Sequence, residues 1–350
     1  MNNEVTAIAH ANIALIKYWG KRSVGRNLPA VGSVSLTLDA LQTRTSVRLA
    51  NQNEIQKKTP VSALGHLQAG ERDVLMLNGQ QVSGKALEKV SAFADLMFAV
   101  RYKGKRSIKR PPLYLTSENN FPTGAGLASS ASGFAALAKV LDAFLESGLD
   151  ERQLSICARQ GSGSAARSVY GGFAEMKLGT DDSGEQDYAI QLHDENYWDI
   201  RLLAAIVSEG PKGTGSTEGM NRTAETSPFY KAWVESSPND ITLIKEALHH
   251  RDFQKLGELS EHSAMKMHGL AISAFPSVLY WQPATLESIR CVWGLRAGGI
   301  PAYITMDAGP QVKVLTLPQY SRKVAAALKQ IPGVADVIEA RSGPGVRLLT

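Results

Sequence analysis

Apolar and polar positions alternate along this chain with two different periods, and the changes of period mark out its elements. Residues 5–21 begin as a strand and end in a polar cluster of Asn12, Lys17, Tyr18 and Lys21. Residues 28–41 read as a loop entering a strand (Val34, Leu36, Leu38) that continues through 45–49. The run 75–77 followed by Asn78-Gly79 predicts a hairpin, because Asn-Gly supplies the two positive φ values of a tight turn. Further strands are expected over 113–116, 170–176, 202–207, 302–306, 312–315 and 334–339. Helical spacing covers 84–101, 131–145, 151–160, 229–235, 240–249, 252–267, 283–297 and 318–330. The final β-β-α-β run suits a ferredoxin-like α+β half, and the polar turn 180–186 is the best boundary, dividing the chain into 1–186 and 187–350.

The stretch 119–134, NNFPTGAGLASSASGF, lies between a strand and a helix, so its small residues open that helix. A helix start offers unpaired N–H groups and the positive end of the macrodipole, and small residues let a phosphate chain approach them. Gly124 and Gly126 permit the dihedrals such a loop needs, while Ser129, Ser130 and Ser132 offer hydroxyls to phosphate oxygens or to a phosphate-bound Mg²⁺. An ordinary Ser-capped helix behind a turn fits the same spacing. There is no G-x-x-x-x-G-K-[ST] run, and Gly161-x-Gly163-x-x-Ala166 follows a predicted helix instead of a strand, which argues against a dinucleotide site. Ser162, Ser164 and Arg167 fall where a second helix start could face a ligand, although a Gly/Ser/Ala run that only permits close helix packing fits the same residues, and the loop 210–219 (GPKGTGSTEG) is able to close over a ligand. Asp307, in a tight turn at a strand end, is either a backbone cap or a general base.

Composition narrows the classes. At 350 residues, 43% hydrophobic and 20% charged, the chain is an ordinary globular one with enough length for a sizeable core. No window approaches the roughly 18 apolar residues of a membrane span, and the first residues lack a signal-peptide pattern, so a cytoplasmic protein without a membrane partner is expected. Cys157 and Cys291 lie in apolar helical patterns and read as buried thiols, and the seven His form no H-E-x-x-H. Part of the net charge of +5 comes from residues 101–110 (RYKGKRSIKR), read as a solvated loop. No nucleic-acid motif accompanies it, and the basic balance suits a small polyanionic substrate.

Four segments, 12–21 (NIALIKYWGK), 119–130 (NNFPTGAGLASS), 159–173 (RQGSGSAARSVYGGF) and 306–310 (MDAGP), occur in an order that resembles the small-molecule kinase family of galactokinase, homoserine kinase and mevalonate kinase. The YWGK, GSGSxxR and DAGP segments narrow the resemblance to its diphosphomevalonate decarboxylase branch. That resemblance implies an α+β, two-lobed fold with a ribosomal-protein-S5-like N-terminal half, a ferredoxin-like C-terminal half and a cleft between them. It implies ATP along Gly124, Gly126, Leu127, Ala128, Ser129 and Ser130, with Ser117 near the nucleotide and Ser130 near its Mg²⁺. The substrate's diphosphate would meet Tyr18, Trp19, Gly20, Lys21, Ser162, Gly163, Ser164, Ala165, Arg167 and Ser216. Asp307 would act on a C3 hydroxyl, Lys17 and Arg167 would stabilise charge, and Asn12 would position groups. A homodimer is also implied. Departures at His10-Ala11, at residues 31–35 and at Ala166 line or adjoin the expected substrate pocket. They keep a 5-phosphomevalonate decarboxylase and a mevalonate 3-kinase in view as alternatives.

Overall fold

A computed structural model describes residues 4–23, 25–51, 54, 73–103, 110–122, 126–207 and 213–349. Gly124, most of the polar segment 51–71, and parts of the runs 101–110 and 210–219 lie outside the described residues.

The chain opens with β1 (Val5–Ile16), the short pair β2 (Lys21–Ser23) and β3 (Leu28–Pro29), and the long β4 (Ser33–Leu49). β1 and β4 pair antiparallel, with register shifts between His10 and Asn12 and between Ala14 and Ile16. Such bulges re-aim side chains beside functional sites, and here they lie at the positions that carry polar groups into the cleft. The Asn-Gly hairpin forms as expected from β5 (Val74–Leu77) and β6 (Gln80–Val82). Helix α1 (Lys85–Arg101), β7 (Leu113–Asn119), α2 (Ser129–Phe144), α3 (Glu151–Gly161), a 3-10 segment (Gly163–Val169), β8 (Phe173–Met176) and β9 (Ala189–His193) complete the first half.

Next come β10 (Arg201–Ile206), four helices, α4 (Ser216–Thr226), α5 (Tyr230–His250), α6 (Phe253–Ile272) and α7 (Pro283–Ala297), and then β11 (Ala302–Thr305), β12 (Val312–Thr316), α8 (Ser321–Lys329), β13 (Asp336–Ala340) and β14 (Arg347–Leu349). Strands β11-β12-β10-β13 form one antiparallel sheet, the β-α-β-β-α-β order of the ferredoxin-like half. The eight remaining long-sheet strands run β14-β1-β4-β7-β5-β6, with β8 and β9 extending from β4. Strand pairing crosses the expected division at residue 186: β9 pairs with β8, and β14 returns from the far end of the sequence to pair with β1.

Two other expectations change. Residues 229–235 and 240–249 belong to one helix, α5, which runs through Pro238. Proline removes one helical N–H, but Trp233, Ser237, Asp240, Ile241 and Ile244 are all buried there, and that packing outweighs the lost bond. Residues from Ser216 onward form helix α4 and not the end of a loop.

Alternate faces of the large sheet build two cores. Leu115, Phe93, Leu141 and Leu154 pack between it and α1, α2 and α3. Ile13, Leu15 and Leu36 of the large sheet meet Leu202, Ile244, Leu256 and Tyr303 of the second half, so one apolar cluster joins the halves. Cys157 is buried as expected, whereas Cys291 is only partly so.

Arg110, the last residue of the basic run, also reads differently in the fold. Arg110 is buried, donating to both oxygens of Asp73 at 2.9 and 2.7 Å and to Asp95 at 2.6 Å. Asp73 also accepts from Ser91 Oγ and the Leu113 amide, so the pair has its remaining lone pairs satisfied. Removing one partner leaves an uncompensated buried charge. Arg110→Ala is expected to lower unfolding free energy by about 3 kcal/mol in a denaturant titration, and an unchanged midpoint would contradict this.

Candidate active site

A cleft of about 970 Å³ opens between the two halves, a size that suits small-molecule ligands. At its floor, Lys17 follows β1 and is pinned by its amide donating to Ser263 Oγ of α6 at 2.9 Å. Its Nζ donates to Asp307 Oδ1 at 2.9 Å and to the Ala14 carbonyl at 2.6 Å. Lys313, on β12, donates to the other Asp307 oxygen at 3.4 Å and to the Gly126 carbonyl at 2.7 Å. One carboxylate is thus held between two buried ammonium groups, one from each half.

The Gly126 contact fixes the phosphate loop against this centre. Gly126 has φ +87°, and an added Cβ would lie 3.0 Å from Gly309 Cα, so only glycine allows the loop so close to the Asp307 turn. Helix α2 then starts from Ala128, at φ 59° and with no side-chain cap, and Ala128, Ser129 and Ser130 line the cleft. Its first N–H groups form an anion-binding helix start. Ser132 does not take part: it is fully buried and shares a 2.6 Å hydrogen bond with Thr43.

The 3-10 segment supplies the opposite wall. Arg167 Nη1 donates to Ser33 Oγ at 2.5 Å and its Nε to Asn12 Oδ1 at 3.2 Å. Asn12 in turn donates to the Ser164 carbonyl at 2.9 Å and to Ser168 Oγ at 2.8 Å. Ser162 lies 3.2 Å from Ser130 and 3.3 Å from Ser164, oxygen to oxygen, which brings the two small-residue runs to one place. The Tyr18 hydroxyl is buried with no hydrogen-bond partner among the described residues, and a Cβ on Gly163 would come within 2.3 Å of it. Buried polar groups are ordinarily hydrogen-bonded, so this unpaired hydroxyl beside the cleft stands out.

Charge and burial oppose each other at this floor. Burial raises the Asp307 carboxyl, but the charges and hydrogen bonds of Lys17 and Lys313 outweigh it and hold the group well below the usual carboxylate range. Burial lowers Lys17 to about 8 against the pull of Asp307, and lowers Arg167 to about 10. Lys21 is lowered to about 8 by burial and by nearby Lys89. His268, buried and hydrogen-bonded to the Asp307 backbone, is lowered to about 3 by burial and by Lys17, so it stays neutral. At neutral pH Lys17 and Arg167 carry their charges, and with the buried Lys313, lowered by burial, they surround the Asp307 carboxylate, a floor suited to an anionic ligand.

Of the residues expected in the site, Asn12, Tyr18, Trp19, Lys21, Gly126, Ala128, Ser129, Ser130, Ser162, Gly163, Ser164, Arg167, Ser216 and Asp307 line the cleft. Lys17 sits directly beneath, on Asp307. Gly20, Ala165, Leu127 and Ser117 do not line it: Leu127 and Ala165 are core residues, and Ser117 shares a hydrogen bond with Thr45 on the sheet. The departures His10, Ala11, Val31, Gly32 and Ala166 are all buried behind the wall, and Ser33 keeps a role there as the acceptor for Arg167.

Sequence reasoning passed over Lys313, His268, Asn27, Lys85 and Lys89. A lysine inside the apolar strand V-K-V-L was a usable signal, since a buried lysine needs a partner. Lys85 and Lys89 also line the cleft, yet their helical spacing is that of any solvated face.

Residues 9–189 match the family model described as diphosphomevalonate decarboxylase-like N-terminal domain, and residues 202–344 the mevalonate 5-diphosphate decarboxylase C-terminal domain. A diphosphomevalonate decarboxylase of Candida albicans is 33% identical over 366 residues, covering 96% of this chain and 95% of the relative. A mevalonate diphosphate decarboxylase from Enterococcus faecalis superposes with a TM-score of 0.84 at 37% identity, covering 100% of this chain and 99% of that one. A chain solved in complex with MVAPP, AMPPCP and magnesium superposes with a TM-score of 0.85, also at 37% identity, covering 100% of this chain and 99% of that one. Family models cover both halves of the chain and the solved structures superpose over its whole length, and the chain belongs to the diphosphomevalonate decarboxylase family.

Proposed function

We propose that this chain catalyses the ATP-dependent decarboxylation of (R)-5-diphosphomevalonate to isopentenyl diphosphate, releasing ADP, phosphate and CO₂, as a step of the mevalonate route to isoprenoids. The observation that carries this reading is the Asp307 carboxylate clamped by Lys17 and Lys313 between an anion-binding helix start and the Arg167 wall. The ligands named for a similar structure, MVAPP, AMPPCP and magnesium, support it. So does the chemistry of the donor set: hydroxyls at Ser129, Ser130, Ser162 and Ser164, helix N–H groups, and cations on the floor and rim. Bound Mg²⁺ would supply neutralising charge to the phosphates, and the Ser130 hydroxyl is the protein group this reading assigns to it. The reading also takes the protein to be a cytoplasmic homodimer, as the family resemblance implies.

The roles follow from charge. Asp307 accepts the hydrogen bond of the substrate's C3 hydroxyl and directs its oxygen at the γ-phosphorus, where an O–P bond forms as the bond to ADP breaks. A carboxylate held so firmly ionised is a weak base, which suits a loose transition state in which the hydroxyl gives up its proton late. Lys17 and Arg167 meet the charge on the transferred phosphoryl group and the substrate carboxylate. Phosphate then leaves C3 with the C–O electron pair, and the bond to the carboxylate breaks, its pair forming the C=C bond as CO₂ departs. Arg167 is braced by Asn12 and Ser33, so its charge is in place before the leaving group needs it.

The direct test follows ADP and CO₂ together from 5-diphosphomevalonate, 5-phosphomevalonate and mevalonate. Equal ADP and CO₂ from the diphosphate alone is expected; preference for the monophosphate, or ADP without CO₂, would overturn the assignment. Asp307→Asn is expected to cut kcat by about 10³-fold while MgATP affinity holds, and near-normal turnover would remove Asp307 from its role. Because Lys17 and Lys21 both titrate near 8, each carries its charge below that pH and loses it above. kcat/KM should therefore fall as pH rises through about 8, with kcat falling at higher pH because bound anions keep the lysines protonated. A pH profile flat to pH 10 would exclude both lysines.

A further inference from the structure

Lys21 stands at the solvent side of the cleft, on β2, and a lysine on a four-carbon stem has several rotamers open to it. Here it is held: its Nζ donates to Asn27 Oδ1 at 2.6 Å and to Thr217 Oγ1, at the start of α4, at 3.4 Å. The other end of the same amide is also used, Asn27 Nδ2 donating at 2.7 Å to the Gln160 carbonyl, the residue before Gly161. Gly161 to Ser164 form the wall bearing Ser162 and Ser164. One side chain therefore spans the rim cation and the hydroxyl-bearing turn. Its backbone is at φ 52°, in the left-handed region where asparagine is better tolerated than most residues, and it lines the cleft itself.

We propose that Asn27 is a positioning residue that fixes Lys21 at a set distance from the Ser162–Ser164 turn and so selects for the length of the substrate's phosphate chain. The inference rests on the reading above, in which the reacting end of the substrate lies at Asp307 and its phosphate tail points toward the rim. The terminal phosphate is then the group that reaches Lys21, while an inner phosphate is already met at Arg167, Ser162 and Ser164. Holding the ammonium in place before binding removes an ordering cost that the ligand would otherwise carry. The bracket serves the longer chain and is idle for the shorter.

Asn27→Gly keeps the backbone dihedral and deletes the bracket, and Asn27→Asp keeps the bond to Lys21 while setting a negative charge against it. Asn27→Gly is expected to raise KM for 5-diphosphomevalonate about tenfold, as for loss of a hydrogen bond to a charged group, and Asn27→Asp to raise it by a similar factor because the carboxylate neutralises the ammonium that meets the phosphate, with kcat and the KM for MgATP unchanged in both. The kcat/KM preference for diphosphate over monophosphate should shrink by the same factor. In a Lys21→Met background, which raises KM by itself, adding Asn27→Gly should cost nothing more. If Lys21→Met raises KM and Asn27→Gly and Asn27→Asp do not, or if the Asn27 loss adds to that of Lys21, the bracket is wrong and the function stands. If Lys21→Met leaves KM unchanged in an enzyme that turns over the diphosphate, the phosphate path drawn from Asp307 to the rim fails and the bracket with it.

Discussion

The ion pair between Lys17 and Asp307, doubled by Lys313, is the contact on which the rest of this structure depends. Lys17 directly follows the first strand of the large sheet and Asp307 lies in the turn leading to β12 of the small one, so the pair closes the two halves onto one point. Burying two ammonium groups against a half-buried carboxylate is costly unless the geometry is good and the remaining donors are used. Here Lys17 also donates to Ala14 and Lys313 to Gly126, so each ammonium has a second acceptor. The apolar cluster joining Ile13 and Leu36 to Leu202 and Leu256 excludes water behind the pair. That exclusion is what gives the charges their reach in the cleft.

From this point the site is built outward by backbone geometry. Lys313 ties the glycine-bearing loop to the Asp307 carboxylate through Gly126, and the absence of a Cβ at Gly126 lets the loop lie against Gly309. The bulges in β1 accompany Asn12 into place, and Asn12 braces both Arg167 and the Ser164 carbonyl. Hydroxyl, N–H and cationic groups therefore converge on the cleft from a helix start, a 3-10 segment and a strand end.

Much of this was legible in the residues alone, and the parts that were not have physical reasons. Helix 283–297 was read to the residue, because proline opens it and two glycines follow it. The hairpin at Asn78-Gly79 and the ferredoxin-like order of strands were equally plain. Pro238 misled because a proline's local cost is visible in sequence and the packing of Trp233 and Ile244 that offsets it is not. Arg110 looked like part of a solvated run, since its partner Asp73 is 37 residues away in the chain. Within the site, residues joined by short motifs were found and those joined only by folding were missed. Lys313 and Asn27 act through partners that no spacing rule connects, and Ser132 and Leu127, though inside the right motif, face the core.

The claim that two lysines hold Asp307 ionised inside the cleft is open to direct measurement by carbon NMR of aspartate-labelled protein, with the Asp307 signal assigned by its loss in Asp307→Asn. An ordinary aspartate is half protonated near pH 3.9. The account predicts that the Asp307 signal keeps its carboxylate shift from pH 7 to pH 4, and that in Lys313→Met it begins to titrate within that range. A wild-type signal half protonated at or above pH 4 would contradict the clamp.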